Sequence, residues 1–205
     1  MKRGKFITLE GIDGAGKSSH VEFLRDRIRA LGAEVVVTRE PGGTPAGERL
    51  RELVLSVPMT GVSEALVMFA ARGEHLAQVI EPALRDGRWV LCDRFSDATY
   101  AYQCGGRGLA PDLVIKLEQL VHPHLQPDAT FLFDLDPAIA YARQRAQSRS
   151  PDKFEREAED FFRRVREAYR DRARMNAGRF HVIDASGSID EVRGALGKAF
   201  DRIAG

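Results

Sequence analysis

The sequence has only two cysteines, Cys92 and Cys104, and their spacing matches no metal-binding motif. A pair of reduced thiols is favoured over a single disulfide. No run of apolar residues approaches the roughly 18 that are needed to cross a bilayer. Residues 1–5 lead directly into an apolar segment, which leaves no room for the apolar part of a signal peptide. We therefore expect a cytoplasmic protein with no membrane partner.

An excess of charge of one sign is also missing. The chain has 31 Lys and Arg residues against 30 Asp and Glu residues, a net charge of +1. Because general nucleic-acid-binding proteins carry a basic excess, we expect no nucleic-acid partner. The 205 residues are 43% hydrophobic, enough to bury one core of good size, and the sequence shows no internal repeat or linker. We predict a single α/β domain over residues 1–205.

One stretch, residues 6–19, organises the rest of the chain. Its segment 11–18 matches the P-loop pattern G-x-x-x-x-G-K-[ST] at every fixed position, between an apolar strand-like run and a helical segment. Glycines let backbone N–H groups approach phosphate oxygens, and the following helix points its positive end at the same anion. Lys17 is suited to the β- and γ-phosphates and Ser18 to the accompanying Mg²⁺. The predicted nucleotide-binding residues are Gly11, Ile12, Asp13, Gly14, Ala15, Gly16, Lys17, Ser18 and Ser19.

Hydrophobic periodicity predicts a regular alternation of strands and helices. Apolar runs predict strands at 6–10, 34–38, 89–93, 129–135 and 180–184, and helical patterns lie between them. A helix between successive strands makes the strands parallel, so we predict a five-stranded parallel sheet with helices on both faces. The long helix predicted over 63–84 has an apolar side that consists of Leu66, Phe69, Ala70, Leu76, Val79 and Ile80. Residues 105–108 are predicted to form a glycine-rich turn.

Charged residues follow several of these strands. Asp93 ends an apolar strand, where P-loop proteins place an acid that helps to hold the metal, although a helix cap or turn former is the alternative. The adjacent Arg94 offers a rigid fork suited to a second phosphate, or else a structural salt bridge. Glu40 falls at the same edge of the sheet, where ligands bind in open α/β folds.

A basic segment lies near residues 143–153. A solvated helix face is the commonest explanation of such a run. Phosphoryl transfer, however, needs positive charge around the moving group, and a closing lid would exclude water. Since the P-loop itself has no arginine, this segment is the natural source of one. Its cations are Arg143, Arg145, Arg149 and Lys153.

Phe69 and Arg72 lie three residues apart, and so on one helix face. A ring for stacking and a guanidinium for hydrogen bonding would suit a planar base. An ordinary core residue beside a surface arginine is the simpler alternative.

Taken together, these segments resemble the bacterial thymidylate kinase family. The P-loop alone is common to many proteins, whereas the later motifs are specific in this order, and the similarity covers about three-quarters of the chain. The matching segments are LEGIDGAGKS at 9–18, TREPGGT at 38–44, FAAR at 69–72, DRF at 93–95, YQCGGRG at 102–108 and DKFE at 152–155.

The resemblance implies a P-loop NTPase fold and transfer of the γ-phosphoryl group of ATP to dTMP with Mg²⁺, in a homodimer. It implies that Phe69 stacks on thymine and that Arg72 hydrogen-bonds the carbonyl edge of the base. It places Ser18 and Asp93 at the metal and Arg143 beside adenine. The other residues implied at the dTMP site are Asp13, Arg39, Glu40, Pro41, Arg94, Thr99 and Gln103, and the implied catalytic residues are Lys17, Asp93, Arg94 and either Arg145 or Arg149 of the lid.

The sequence departs from the family pattern at Cys104, where glycine is usual. Three alternatives remain open at this stage. One is a kinase for another nucleoside monophosphate. Another is a GTP-dependent switch, although the N-K-x-D motif expected of it is absent from the sequence. The third is a nucleotide-binding regulator without turnover.

Overall fold

The structure, a computed structural model, describes residues 3–145 and 154–204. Within these residues five strands form one sheet, and all neighbouring strands run parallel in the order β2-β3-β1-β4-β5. The strand predictions are confirmed, with ends that shift by one residue at two of them. The bounds are Phe6–Glu10 (β1), Val35–Arg39 (β2), Trp89–Asp93 (β3), Ala129–Asp134 (β4) and Phe180–Asp184 (β5).

Helices connect successive strands throughout the described part of the chain. Those at Pro45, Pro111 and Pro137 begin with proline, whose fixed φ and missing N–H suit the first helical position. The bounds are Ser18–Ala30 (α1), Pro45–Ser56 (α2), Gly61–His75 (α3), Glu81–Arg85 (α4), Ser96–Thr99 (α5), Pro111–Val121 (α6), Pro137–Arg145 (α7), Phe154–Met175 (α8) and Ile189–Ala204 (α9), with π-helical segments at Leu76–Ile80 and Tyr100–Gly106.

Helices cover both faces of the sheet, as predicted. Along β1, Phe6 packs into a cluster with Leu76 and Leu84, which belong to the α3–α4 side. The next residue, Ile7, packs into a second cluster with Leu24 of α1 and Leu196 of α9. Because successive side chains of a strand point to opposite faces, this division places one apolar core on each side of the sheet. No helix of the described residues is both long and apolar enough to span a membrane.

The register of the central strands brings several charged residues to one edge of the sheet. Asp93, the last residue of β3, is paired with Leu9 of β1 and with Arg39 of β2. Glu10 ends β1 one step further on. Because carboxyl ends of parallel strands meet at the same edge, these residues and the following loops define the place where a ligand is expected.

The prediction of a helix over residues 63–84 is confirmed, because α3, a π-helical segment and α4 follow one another without a break from Gly61 to Arg85. Its predicted apolar side is wrong in part. Leu66 and Ala70, predicted on the apolar side, are exposed. The buried side of α3 includes Glu64, Arg72 and His75 beside apolar residues such as Phe69. The pattern of apolar residues does not predict such a face, because its polar groups can be buried only when they pair with residues on other elements.

The glycine-rich turn predicted at 105–108 is also wrong in its first half. Residues 96–106 are helical, and Gly105 and Gly106 lie inside the π-helical segment. A Cβ atom at Gly105 would stand 2.4 Å from the Cβ atom of Ala168, and one at Gly106 would stand 2.4 Å from Phe161. These glycines therefore permit α8 to pack closely on this segment.

Candidate active site

The P-loop joins β1 to α1 and is shaped by glycines. Gly11 has φ +138°, and a Cβ atom there would lie 2.5 Å from the carbonyl oxygen of Phe133. Gly14 and Gly16 also have positive φ, of 81° and 87°. An L side chain at Gly11 would face both an unfavourable backbone conformation and a steric clash. The loop therefore keeps its backbone open toward the edge of the sheet, and α1 begins directly after it at Ser18.

Lys17 lies folded over this loop. Its side chain is 7% exposed, and Nζ donates hydrogen bonds to the carbonyl oxygens of Gly11 at 3.0 Å and Ile12 at 3.1 Å. Burial, together with the nearby Arg94 guanidinium, lowers the pKa of Lys17 to about 8. The charged ammonium is thus held at some cost in the free protein, and a phosphate anion would relieve that cost.

The P-loop forms one wall of a cleft of about 780 Å³, which we call the P-loop cleft. The opposite wall comes from the segment between β5 and α9. There Arg143, near the end of α7, donates hydrogen bonds of 3.1 Å to the carbonyl oxygens of Ser186 and Gly187. The lining residues are Asp13, Gly14, Ala15, Gly16, Lys17, Ser18, Ser19, His20, Asp93, Arg143, Ala185, Gly187, Ser188, Ile189 and Val192.

A second cleft of about 400 Å³ lies beside the first, and we call it the Arg94 cleft. Asp13, Lys17 and Asp93 line both clefts. Two ligands bound in the two clefts would therefore meet at these three side chains. The remaining lining residues of the Arg94 cleft are Glu40, Pro41, Arg51, Val54, Leu55, Glu64, Met68, Arg94, Ala98, Tyr102, Gln103, Arg107 and Phe161.

Arg94 is held in an unusual backbone conformation. Its φ is +71°, a left-handed value that costs a non-glycine residue on the order of 1 kcal/mol or more. Its guanidinium donates to Asp13 Oδ1 at 2.8 Å and to the hydroxyl groups of Tyr102 and Tyr169 at 2.9 Å each. These bonds fix the guanidinium at the wall of the cleft. Backbone strain of this kind is concentrated at functional sites.

The carboxyl group of Asp13 is influenced by two neighbouring cations. Partial burial favours the neutral form, but Arg94 and Lys17 outweigh it, and the pKa of Asp13 is lowered. Asp13 is therefore an anion that faces both clefts.

Glu10 supports Arg94 from behind. The Tyr169 hydroxyl, which accepts from Arg94, donates to Glu10 Oε2 at 2.7 Å, and the Phe95 N–H donates to Glu10 Oε1 at 2.7 Å. Glu10 is fully buried. Burial, with a further contribution from Asp97, raises the pKa of Glu10 to about 8.

The raised pKa of Glu10 predicts a pH dependence of stability. Between the unfolded pKa near 4.5 and the native pKa near 8, the native state holds a proton that the unfolded state has lost, so stability falls as pH rises through this window. Glu10→Gln removes this effect. We expect the stability of the variant relative to the parent protein to increase by on the order of 3 kcal/mol between pH 5 and pH 8. Urea unfolding at both pH values measures it.

The matched control for that experiment is Glu34→Gln, because Glu34 is an exposed glutamate just before β2. Its stability difference from the parent protein should be the same at both pH values. An equal pH response of the two variants would contradict the effect assigned to Glu10.

A buried ionic cluster anchors the loop after β2. Glu40 accepts from Arg72 Nε at 2.7 Å and lies 3.0 Å from Nδ1 of His75, and all three side chains are at most 2% exposed. Arg72 Nη2 also donates to Thr99 Oγ1 at 3.3 Å. Glu40 thus holds Arg72 in place while it forms part of the cleft wall itself.

Phe69 lies deep beside this cluster and is 2% exposed. Its ring is stacked on the imidazole of His122, with centroids 6.0 Å apart and planes at 5°. The Arg72 guanidinium lies 4.4 Å from the centroid of the same ring. Phe69, Arg72 and Thr99 therefore lie close together, and none of the three is among the described residues that line the Arg94 cleft.

Three buried polar atoms of the predicted site lack a hydrogen-bond partner among the described residues. They are Asp93 Oδ1, Arg72 Nη1 and Gln103 Oε1. Buried polar groups are normally paired, so each of these atoms has capacity to bind a ligand. Asp93 and Gln103 also line the clefts.

Arg39 lies away from both clefts, and the predicted lid catalysts Arg145 and Arg149 have no described side chain. Arg39 is half exposed, pairs with Glu48 at 2.8 Å and lines neither cleft. Arg145 is the last residue of α7 and is placed by its backbone alone. Arg149 and the predicted lid residues 146–153 lie outside the described residues.

The structure adds residues that the sequence reasoning missed. Arg51 of α2 lines the Arg94 cleft, and its Nη1 donates to the Pro41 carbonyl at 3.0 Å. Glu64 and Arg107 line the same cleft and pair with each other at 3.0 Å. None of these side chains has a sequence signal, because each resembles an ordinary charge on a solvated helix or loop. Both cysteines are free, as predicted.

Comparison with known proteins agrees with the motifs. Residues 9–196 match the model of the thymidylate kinase family. The chain is 58% identical over 194 residues to a thymidylate kinase of Bordetella petrii, which covers 95% of this chain and 93% of the relative. It is 60% identical over 194 residues to that of Cupriavidus metallidurans, with 95% and 96% covered. A crystal structure of thymidylate kinase from Ehrlichia chaffeensis is 34% identical, covers 97% of this chain and 99% of that chain, and superposes with a TM-score of 0.80.

Proposed function

Since the chain belongs to the thymidylate kinase family, which uses ATP as phosphoryl donor and has the P-loop NTPase fold, we propose that it phosphorylates dTMP to dTDP. The observation that carries this proposal is the pair of adjoining clefts that share Asp13, Lys17 and Asp93. ATP occupies the P-loop cleft, and dTMP occupies the Arg94 cleft with its phosphate toward the shared residues.

The chemistry proposed is direct transfer. An oxygen of the dTMP phosphate attacks the γ-phosphorus of ATP in line, and the bond to the β,γ-bridging oxygen breaks as ADP leaves. Lys17 balances charge on the phosphates of the donor, and Arg94 holds the phosphate of the acceptor. Catalysis of this kind depends on positioning and on fixed positive charge, and it needs no covalent enzyme intermediate.

The donor set fits a bound Mg²⁺. Mg²⁺ prefers oxygen ligands and is usually held by one or two carboxylates together with substrate phosphates. Asp93 Oδ1, buried and without a partner among the described residues, and the Ser18 hydroxyl are the groups proposed to hold it. When bound, Mg²⁺ neutralises charge on the β- and γ-phosphates.

Recognition of the acceptor base is assigned to Arg72 and Gln103. Among the described residues, Arg72 Nη1 has no acceptor and is suited to a carbonyl oxygen of thymine, and Gln103 Oε1 has no donor and is suited to the ring N3–H. Arg51 is an additional cation for the dTMP phosphate, since it lines the Arg94 cleft on the side of Pro41. Stacking of Phe69 on the base remains a prediction from the family resemblance.

The proposal includes the remaining predictions from the sequence. We propose one domain over residues 1–205, a homodimer, and a cytoplasmic location. Arg143 is assigned to the adenine side of the P-loop cleft, where it reaches the carbonyls of Ser186 and Gly187. Arg145 or Arg149 is assigned to the transferred phosphoryl group.

The experiment that tests this function is coupled ADP release. The purified protein is given ATP and Mg²⁺ with dTMP, dUMP, dCMP, dGMP, GMP or AMP in turn. Release that is highest with dTMP supports the proposal. Preference for a purine monophosphate would retain the transfer chemistry and reject the assignment of the base site. ADP release that no acceptor stimulates would reject the kinase and favour a switch or regulator.

A further inference from the structure

Glu64 is a buried carboxylate that the reaction described above does not use. It lies on the buried side of α3, and its side chain is 11% exposed. Its Oε1 accepts a hydrogen bond of 2.6 Å from Nε2 of Gln103. Glu64 also lines the Arg94 cleft, so this contact lies at the wall of the proposed dTMP site.

The contact determines which end of the Gln103 amide faces the cleft. An ionised carboxylate has acceptors only, so the amide must turn its NH₂ group toward Glu64. The opposite atom, Oε1, is buried and has no partner among the described residues. Gln103 is 4% exposed, which leaves little room for the amide to rotate independently of Glu64.

Arg107 holds the carboxylate in this position. Its Nε lies 3.1 Å from Glu64 Oε1, and its Nη2 lies 3.0 Å from Glu64 Oε2. Such a two-point guanidinium–carboxylate contact fixes the plane of the carboxylate. Arg107 follows the π-helical segment that carries Gln103, so the cluster ties that segment to α3.

We propose that Glu64 is a positioning residue that sets pyrimidine specificity by orienting the Gln103 amide. This inference rests on the proposed function. With its oxygen directed into the cleft, Gln103 accepts the N3–H of thymine or uracil. Cytosine has no hydrogen on N3, and its N3 is itself an acceptor. The lone pair of N3 would therefore face a lone pair of Gln103 Oε1, and no hydrogen bond could form. Buried polar atoms left unpaired in this way are a strong source of discrimination.

The test is Glu64→Gln, measured as kcat/KM for dTMP, dUMP and dCMP. An amide at position 64 can donate or accept, so the Gln103 amide is no longer fixed in one orientation. We expect the dTMP-to-dCMP preference to fall about tenfold or more, while the dTMP-to-dUMP preference stays within about twofold because both bases carry N3–H. Arg72 is intact, so part of the discrimination against dCMP persists.

A charge-conserving exchange provides the rescue. Glu64→Gln combined with Gln103→Glu again places an acceptor-only group next to an amide, with one carboxylate oxygen directed into the cleft. We expect the dTMP-to-dCMP preference to return to within about threefold of the parent value. Arg107→Gln, which removes the two-point contact that holds the Glu64 carboxylate, should lower the same preference by a smaller factor. This variant tests the proposal if Glu64→Gln does not fold.

The possible outcomes distinguish a failure of the positioning role of Glu64 from a failure of the proposed function. Normal use of dTMP by the parent protein, with a dTMP-to-dCMP preference unchanged in the folded variants, overturns this inference alone. An equal fall of both preferences without rescue shows a structural role and also overturns it. A parent protein that does not use dTMP overturns the proposed function and this inference together.

Discussion

Lys17→Ala is expected to lower kcat for phosphoryl transfer by about 10³-fold. The side chain is the only lysine at either cleft among the described residues, and it lies where the two clefts meet. A preorganised charge that acts on the transferred group contributes on the order of 3–4 kcal/mol to the transition state. Coupled ADP release with saturating ATP and dTMP measures the loss.

The same variant should remain folded. The variant loses the two hydrogen bonds that Lys17 donates to the Gly11 and Ile12 carbonyls. It also loses the desolvation cost of the buried ammonium, whose pKa is lowered for that reason. We therefore expect an unfolding midpoint close to that of the parent protein. Lys198→Ala, at an exposed lysine of α9, is the matched control and should retain full activity. Turnover within tenfold of the parent value in Lys17→Ala would contradict the role assigned to the P-loop.

Arg94→Ala is expected to lower kcat/KM for dTMP by about 10²- to 10³-fold while ATP binding changes little. The guanidinium is fixed by Asp13, Tyr102 and Tyr169 at the wall of the second cleft. Removal of a preorganised donor costs on the order of 3 kcal/mol. Initial rates as a function of dTMP concentration, together with a separate titration of ATP, measure the two effects.

Arg94→Lys distinguishes charge from geometry. The ammonium keeps the charge but cannot reproduce the rigid fork, so its activity should lie between those of the parent protein and the alanine variant. Arg163→Ala, at an exposed arginine of α8, is the neutral control. Equal losses for ATP and dTMP would indicate that Arg94 supports the whole site rather than the acceptor phosphate.

Local chemistry explains why most of the framework was predictable. The P-loop and the five strands each consist of contiguous residues, so the spacing of the glycines and the apolar runs are enough to predict them. The position of Asp93 was also predictable from the sequence, since a carboxylate that ends an apolar strand of a parallel sheet lies at the edge where ligands bind. The two halves of the site could therefore be placed before any side-chain packing was known.

The rest depends on partners distant in sequence. In the sequence Glu64 resembles an ordinary charge on a solvated helix, and only the fold brings Gln103 and Arg107 to it. The prediction of the apolar side failed at Leu66 for the same reason, because polar residues with distant partners occupy part of the buried side of α3. The π-helical segments also have no simple sequence period by which they could be recognised.

The left-handed backbone of Arg94 has a consequence for directed evolution. Glycine adopts that conformation without a steric penalty, so a library screened only for folded protein can admit glycine at position 94, although the hydrogen bonds of the guanidinium are then lost. Those survivors would lack the guanidinium on which use of dTMP is proposed to depend. A screen for folded protein therefore does not protect position 94, and an effort to stabilise this enzyme must also select for turnover in every round.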